Sequence, residues 1–242
     1  MLTELIRRAL PSHWRYAVKL LKTKPSFAED GLLCWHNADF LRDDRFKRAY
    51  ELGKGTGSWH GAEIRWRAFV ICWAANQAVK LPGDFVECGV NKGGFGRAVV
   101  DYVDFSKLPK NYWLVDTFRG LPERFKANAG PTPPYQECYE EVRTTFGPFP
   151  NVKLVRGIVP DVLPQVAAEK IAFLSIDMNS VEPERASLEY FWGKLVPGAM
   201  IVLDDYGFFG YERQKLSADE FVAGKGQRVL MLPTGQGLIL KL

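Results

Sequence analysis

An acidic residue and two glycines follow a short apolar run in a pattern typical of a nucleotide-binding turn. The run DFVECG at 84–89 continues to give E-x-G-x-x-x-G over residues 87–93, whereas a dinucleotide-binding turn reads G-x-G-x-x-G and lets the backbone approach a pyrophosphate. A carboxylate in this place would repel a pyrophosphate but suits an ammonium group, which favours S-adenosylmethionine over NAD; a glycine turn with a partly exposed glutamate is the alternative. The candidate cofactor contacts here are Glu87, Cys88, Gly89, Asn91 and Gly93.

A second carboxylate, Asp116, closes the next apolar run, NYWLVDT at 111–117. A carboxylate at the carboxyl end of a second strand can accept hydrogen bonds from both hydroxyls of a ribose, so the pattern fits a nucleoside. Asp116 could instead cap the turn before Thr117 and Phe118, which are further candidate cofactor contacts. Ligands of open α/β sheets bind beyond the carboxyl ends of the strands, where Glu87 and Asp116 would face one crevice. Ile158, after the third strand, lies where an adenine edge would rest.

Three aspartates end the next two apolar runs: Asp177 follows IAFLSI, and Asp204 and Asp205 follow AMIVL. We expect them to converge at the edge of the sheet that holds the cofactor, with Asp177 contacting the cofactor as well. Clustered carboxylates raise each other's pKa and destabilise a fold, and a hard divalent cation such as Mg²⁺ is the usual counter-charge. Such an ion could hold an acceptor hydroxyl and lower its pKa. The alternative is that the three aspartates cap turns.

Apolar runs that alternate with helical stretches must position these residues. The predicted strands lie at 84–89, 111–117, 152–157, 171–177 and 199–205, and the predicted helices include 62–79, 93–103, 160–168 and 183–195. Continuous apolar strands that alternate with helices predict a parallel sheet covered on both faces. RVLMLP and GLILKL, separated by TGQG, predict a C-terminal antiparallel hairpin. The predicted fold is α/β, with the Rossmann-like seven-stranded sheet of class I methyltransferases, in which five parallel strands are followed by the hairpin.

Charge and composition exclude several other classes of protein. The 242 residues carry a net charge of +4, with +5 in residues 1–24 and −1 in the rest, so the body lacks the basic groove expected of a nucleic-acid-binding protein. The sequence has no uninterrupted apolar window of about 18 residues, so an integral membrane protein is not expected. The cysteine spacing is typical of reduced thiols, which predicts a cytoplasmic protein.

The chain is predicted to have two parts. Residues 1–60 would form an N-terminal helical cap and lid, with a hinge at GKGTGS (53–58), and residues 61–242 would form the S-adenosylmethionine-binding domain. The basic segment at the N-terminus could pack as a cap helix or lie on a membrane surface. Apolar N-terminal helices would be compatible with a homodimer.

Five segments together resemble the macrocin O-methyltransferase family of class I S-adenosylmethionine-dependent methyltransferases, over about residues 60–242. They are GDFVECGVNKGG, LVDTFRGLPE, FLSIDMNSVEPE, LVPGAMIVLDDYG and LPTGQGLILKL. The resemblance implies methyl transfer to a hydroxyl group of a small molecule, often a sugar of a natural product, with Mg²⁺ as metal. It also implies cofactor contacts for Glu87, Gly89 and Asp116. The same resemblance implies that Asp177, Asp204 and Asp205 hold the metal.

The chain departs from the family pattern after the fourth strand. Relatives generally read D-x-D there, with the second aspartate as general base, whereas this chain has Asn179. An amide cannot accept a proton as a base, so Asn179 could be a neutral ligand, His60 or water could replace the base, or the activity could differ. A cofactor-binding module with little turnover is therefore one alternative, and a nicotinamide-dependent oxidoreductase is a weaker one. The aromatic run 206–211 could stack on the acceptor or pack against the cap.

Overall fold

A mostly parallel sheet forms the centre of the part of the protein that the structure describes. The computed structural model describes Pro11, residues 24–132 and residues 134–242, so most of the predicted basic N-terminal helix lies outside the described residues. The seven strands that make up this sheet are β3 Asp84–Cys88, β4 Tyr112–Asp116, β5 Val152–Arg156, β6 Ile171–Ile176, β7 Leu195–Leu203, β8 Leu230–Met231 and β9 Gly237–Leu240. A separate hairpin contains β1 Phe27–Glu29 and β2 Leu32–Cys34.

The strand order confirms the predicted fold class. Across the sheet the order is β5-β4-β3-β6-β7-β9-β8, and β3 to β7 are parallel. Strand β9 runs antiparallel to both β7 and β8, so the C-terminal hairpin is present as predicted. The order reverses between β3 and β6, and the crevice of an open α/β sheet forms beyond the carboxyl ends of the strands at such a point.

Helices cover both faces of the sheet. They are α1 Asp44–Lys54, α2 Arg65–Ala78, α3 Gly94–Tyr102, α4 Tyr139–Phe146, α5 Val181–Trp192 and α6 Glu212–Ala223. Because side chains of a strand alternate between faces, Phe85 of β3 packs with α1 to α4, whereas its neighbour Val86 packs with α5 and α6. Both side chains are fully buried. Each face of the sheet therefore has its own apolar core. The edge of the sheet between the two cores, where the strands end, remains available for a site.

Residues before α2 contribute to the first of these cores. Asp43 caps α1 by accepting hydrogen bonds from the backbone N–H groups of Arg45 and Phe46. Phe46 and Tyr50, one turn apart, are buried in the same apolar cluster as Phe85. The hairpin β1–β2 was not predicted, although its turn is Asp30-Gly31, with both residues at positive φ, a combination typical of a tight hairpin.

Two predicted helices differ from the structure. The prediction of a helix at 160–168 is wrong, since this segment contains only a 3₁₀ turn at Leu163–Gln165. Pro164 lies where an α-helix would need a backbone N–H in its interior, which explains the short turn. Helix α5 ends at Trp192 rather than near Leu195, which is already the first residue of β7. Among the described residues, no helix is both long and apolar enough to cross a membrane.

Candidate active site

A cavity of about 890 Å³, counted with its open mouth, lies beyond the carboxyl ends of β3, β4 and β6. Four stretches supply most of its wall, namely 58–60, 89–91, 116–122 and 177–179. The residues predicted from sequence that line it are His60, Gly89, Asn91, Asp116, Thr117, Phe118, Ile158, Asp177 and Asn179. The predicted residues outside its lining are Glu87, Cys88, Gly93, Asp204 and Asp205. The structure therefore brings most of the predicted cofactor contacts together around one cavity.

The glycine turn after β3 lets two chain segments approach closely at the cavity wall. Gly89 has φ +88°, and a Cβ there would overlap the backbone carbonyl of Asp177. Gly93 has φ +85°, and a Cβ there would lie 2.6 Å from Cε2 of Phe146. Both positions require glycine on conformational and steric grounds. The turn thus places the end of β3 directly against the end of β6.

Asp116 binds the glycine turn after β3 through one carboxylate oxygen and the turn after β4 through the other. Its Oδ2 accepts hydrogen bonds from the backbone N–H groups of Val90 and Asn91, at 2.6 and 2.8 Å. Its Oδ1 accepts from the backbone N–H of Phe118 at 2.7 Å and from the Thr117 hydroxyl at 3.2 Å. Asp116 therefore holds the ends of β3 and β4 together and, at the same time, lines the cavity.

Glu87 lies beneath the turn instead of facing the cavity. Its side chain is 2% exposed, accepts a hydrogen bond of 2.6 Å from the Tyr112 hydroxyl, and accepts another from the backbone N–H of Gly96. A Cβ on Gly96 would lie 3.1 Å from Oε2 of Glu87, so the glycine leaves room for the carboxyl group. Burial raises the pKa of Glu87 to about 8, with a smaller contribution from the charge of Asp116. The alternative of a partly exposed Glu87 is wrong, and the side chain supports the turn from beneath rather than facing the crevice together with Asp116.

The three predicted aspartates form a cluster at the end of β6 and β7. Asp177, Asp204 and Asp205 each have a carboxylate oxygen within 4.8 Å of the others. Burial, followed by the charges of Asp205 and Asp204, raises the pKa of Asp177 well above its ordinary value. Burial, followed by the charges of Asp204 and Glu184, likewise raises the pKa of Asp205. Oδ2 of Asp205 is buried and has no hydrogen-bond partner among the described residues. Oxygen ligands at this spacing, one of them unpartnered, fit a hard divalent cation.

Arg67 of α2 is a component of this cluster that the sequence analysis missed. Its Nη1 lies 2.9 Å from Oδ2 of Asp204, and its Nε lies 2.7 Å from Oδ2 of Asp30 in the hairpin β1–β2. Although burial alone would lower it, the charges of Asp204 and Asp30 raise the pKa of Arg67 above its ordinary value. Gln236 donates to the other oxygen of Asp204 at 2.9 Å. The sequence signal was a pair of arginines, Arg65 and Arg67, at the start of a helix that is apolar from residue 68 through residue 75.

Asn179 connects three segments at the edge of the cavity. Its backbone is left-handed, at φ +59°, and its side chain is buried. Nδ2 lies 3.3 Å from both the Tyr135 hydroxyl and Oδ1 of Asp177, and Oδ1 accepts a hydrogen bond of 3.1 Å from the Tyr211 hydroxyl. The amide thus joins the end of β6 to the loops that carry the two tyrosines. His60 lines the mouth of the same cavity, with its ring centre 6.2 Å from that of Tyr135.

The aromatic run 206–211 divides between packing and exposure. Tyr211 packs against Gly130, where a Cβ would overlap its ring, and its hydroxyl donates to the carbonyl oxygen of Pro131. The ring of Phe208 lies 4.9 Å from the guanidinium of Arg67. Phe209 is 96% exposed. Packing therefore explains Phe208 and Tyr211, and Phe209 is the member of the run that is free to contact a ligand.

Comparison with known proteins gives one match to a family model and several relatives. The model described as Macrocin-O-methyltransferase (TylF) matches residues 61–225. The 8-demethyl-8-(2,3-dimethoxy-alpha-L-rhamnosyl)-tetracenomycin-C 4'-O-methyltransferase of Streptomyces olivaceus is 28% identical over 143 residues, which cover 52% of this chain and 54% of the relative. The mycinamicin III 3''-O-methyltransferase of Micromonospora griseorubida is 26% identical over 145 residues, with coverage of 52% and 56%. The chain thus matches about half the length of these curated relatives.

A likeness to a solved structure supports the fold. The structure of the O-methyltransferase NovP superimposes with a TM-score of 0.59 at 22% identity, covering 72% of this chain and 79% of the other. At this level of identity the likeness establishes the shared sheet architecture. It agrees with the strand order of the sheet.

Proposed function

This chain belongs to the macrocin O-methyltransferase family, and on that premise we propose that it transfers a methyl group from S-adenosylmethionine to a hydroxyl group of a small molecule, with Mg²⁺ at the aspartate cluster. The observation that carries the proposal is the position of Asp177. This residue lines the cavity and also belongs to the cluster of three aspartates. A ligand in the cavity would therefore lie next to the cation site, as metal-assisted methyl transfer requires.

The cofactor would occupy the side of the cavity formed by the glycine turn and the end of β4. Gly89, Asn91 and Asp116 line this side, with Ile158 on the neighbouring loop. S-adenosylmethionine would supply a methyl group already activated by its sulfonium charge. Asp116 keeps the wall in place through its four hydrogen bonds, and any contact with a ribose would be additional to these. Glu87 lies beneath the turn and outside the cavity lining, so it would support this wall and not contact the cofactor directly.

Asp177, Asp204 and Asp205 would hold the metal. The unpartnered, buried Oδ2 of Asp205 supports this assignment, because burial of a carboxylate oxygen without a partner is costly unless a ligand compensates. Bound Mg²⁺ would orient the acceptor hydroxyl and lower its pKa. The chain's own part is to exclude water and to fix the reacting groups, which is the main source of rate in a displacement of this kind.

Removal of the acceptor proton falls to His60 in this proposal. Asn179 lines the cavity, but its amide has no proton-accepting chemistry at neutral pH. His60 is exposed and lines the same cavity, and the unprotonated nitrogen of a neutral imidazole can accept a proton, as a general base must. Asn179 would then keep Tyr135 and Tyr211 in place around the acceptor.

The acceptor would be a sugar hydroxyl or a hydroxyl of a glycosylated natural product. The names of the two relatives above describe methyl transfer to a rhamnosyl-tetracenomycin and to a mycinamicin. The cavity wall agrees with an acceptor that has both apolar and hydroxyl-bearing parts, since Phe118, Phe125 and Tyr135 line it beside Asp177.

Calorimetric titration with S-adenosylmethionine and with NADH tests the cofactor. We expect heat of binding with the first and none with the second, and tight NADH binding without any response to S-adenosylmethionine would overturn the proposal. Methyl transfer is then screened over glycosylated and phenolic acceptors, with and without a chelator. Activity that persists in excess chelator would remove the metal from the mechanism. Cofactor binding without turnover on any acceptor would favour the alternative of a binding module.

His60→Asn tests the base. We expect kcat to fall by about 10²-fold or more, which is the usual contribution of a general base, while S-adenosylmethionine affinity changes little. His36→Asn is the matched control, because His36 is exposed and lies outside the cavity. Equal activity of the two variants would show that another group takes the proton.

A further inference from the structure

A chain of charges connects the N-terminal hairpin to the aspartate cluster. Asp30 in the turn of the hairpin pairs with Arg67, and Arg67 pairs with Asp204. The side chains of Asp30 and Arg67 are 19% and 17% exposed, and that of Asp204 is 3% exposed. The ring of Phe208 lies against the guanidinium at 4.9 Å. Arg67 is thus held on three sides and cannot swing away from Asp204 without breaking these contacts.

The position of Arg67 fixes both the orientation and the charge of the cluster. Asp204 is engaged at one oxygen by Arg67 and at the other by Gln236, so its carboxylate plane is determined. When ionised, the three aspartates carry a formal charge of −3, and the arginine reduces the total to −2. An arginine is always protonated in a protein, so this counter-charge is permanent. Asp30, the other partner of Arg67, contributes a further negative charge at a greater distance from the cluster.

We propose that Arg67 is a positioning residue that sets the metal affinity of the aspartate cluster, and that Asp30 opposes its effect. This inference rests on the metal site of the proposed function. Arg67 lowers the attraction of the cluster for a cation and holds Asp204 as an oriented ligand. Asp30 shares the charge of Arg67 and so partly restores the attraction. Outer partners of this kind change metal affinity by about 10–100-fold in known sites.

A second ion pair between the hairpin and α2 provides a matched control. Glu29, next to Asp30 in the hairpin, pairs with Arg65, which lies two residues before Arg67 in α2. Arg65 pairs further with Glu63, and among the described residues no hydrogen bond or ion pair joins it to the aspartate cluster. Loss of either hairpin acid weakens the attachment of the hairpin to α2. Of the two hairpin acids, only Asp30 affects the charge balance at Asp204.

The test is a titration of the full chain with Mn²⁺ in the absence of cofactor. Electron paramagnetic resonance measures the concentration of free Mn²⁺ at each step. We expect Arg67→Gln to tighten Mn²⁺ binding by about tenfold, because it removes a positive charge beside the cation site, and Asp30→Asn to weaken it by about threefold, because it removes a more distant negative charge. Arg67→Lys keeps the charge and should bind Mn²⁺ nearly as the wild type does. Glu29→Gln should leave the affinity unchanged. Circular dichroism of each variant establishes that it is folded.

The opposite signs of the two main effects separate this proposal from a structural role. If Arg67 and Asp30 only maintained the fold, both substitutions would weaken Mn²⁺ binding, and that result would overturn the proposal. Equal affinities in all variants would overturn it as well. If the wild type itself binds no Mn²⁺, the metal site of the proposed function fails instead. Should Arg67→Gln not fold, the comparison of Asp30→Asn with Glu29→Gln decides the question.

Discussion

Replacement of Asn179 by aspartate restores the family's usual D-x-D pattern and tests what the amide contributes. If the site lacked only a base, the Asn179→Asp variant would keep or raise activity. The hydrogen bonds of Asn179 indicate the opposite result. Its Nδ2 donates toward Oδ1 of Asp177 at 3.3 Å, and a carboxylate in the same place would put two acceptor oxygens against each other.

The size of the effect follows from this distance. Two full charges 3.3 Å apart repel by about 5 kcal/mol at an effective dielectric constant of about 20. Each charge is spread over two oxygens, Arg67 lies nearby, and the new carboxyl group can take up a proton, so the net cost is smaller. We expect a loss of about 2 kcal/mol in the free energy of unfolding, comparable to the loss of a buried hydrogen bond to a charged group. For a chain of this length, that corresponds to a decrease in Tm of roughly 4–8 °C.

Thermal unfolding with and without Mg²⁺ is the appropriate measurement, with Asn179→Gly as control. Glycine tolerates the left-handed backbone at φ +59° and removes the hydrogen bonds without adding a charge. We expect Mg²⁺ to reduce the difference in stability between Asn179→Asp and the wild type, because the ion relieves repulsion. The difference between Asn179→Gly and the wild type should be the same with and without Mg²⁺. Methyl transfer by Asn179→Asp should be slower than in the wild type. A variant that is as stable as the wild type without Mg²⁺, and faster, would refute this reasoning.

Three further substitutions test the turn and the cluster. The pKa of about 8 for buried Glu87, against an ordinary value of 4.5, means that the folded chain retains a proton that the unfolded chain has lost between these pH values. Stability should therefore fall by about 1.4 kcal/mol per pH unit across that window, and Glu87→Gln should abolish this fall in urea unfolding curves; an unchanged slope would assign it to other groups. Asp205→Asn removes a charge that repels Asp177 and Asp204, so Tm without metal should rise while the increase on adding Mg²⁺ disappears; a persistent increase would place the ion elsewhere. Gly89→Ala should cost more than about 3 kcal/mol because its Cβ meets the Asp177 backbone. Gly226→Ala, also at positive φ but with no atom within 4 Å, should cost about 1 kcal/mol, and equal losses would show that backbone conformation alone matters.

The sheet and the convergence of the site were predictable because they depend on local patterns. Five apolar runs with intervening helices specify a parallel sheet, and the carboxyl ends of parallel strands meet at one edge. Asp116 and Asp177 therefore line one cavity, as the sequence indicated. The hairpin turn at Asp30-Gly31 also has a local signal, since Asp-Gly is typical of a tight hairpin turn. Pro164 similarly indicates that 160–168 does not form an α-helix.

The missed features depend on contacts between residues that are distant in sequence. Glu87 can be buried because its carboxyl group accepts hydrogen bonds from the Tyr112 hydroxyl and the Gly96 backbone N–H. Neither contact can be read from the sequence of the turn itself. Arg67 and Asp204 are 137 positions apart, and their ion pair depends on how α2 packs on the sheet. Sequence patterns indicate which strand end carries an acid. They do not indicate which buried partner that acid selects.

Charge balance offers one explanation for both Arg67 and Asn179. An aspartate at 179 would add a fourth carboxylate beside Asp177, in a cluster where burial and repulsion already raise the pKa of Asp177 and Asp205. The amide avoids that charge and supplies a donor to Asp177, while Arg67 offsets the charge of Asp204. Both residues limit the negative charge of the cluster. Asn179 thus belongs to the electrostatics of the cation site, and in the proposed function the acceptor's proton leaves through another residue of the cavity lining, His60.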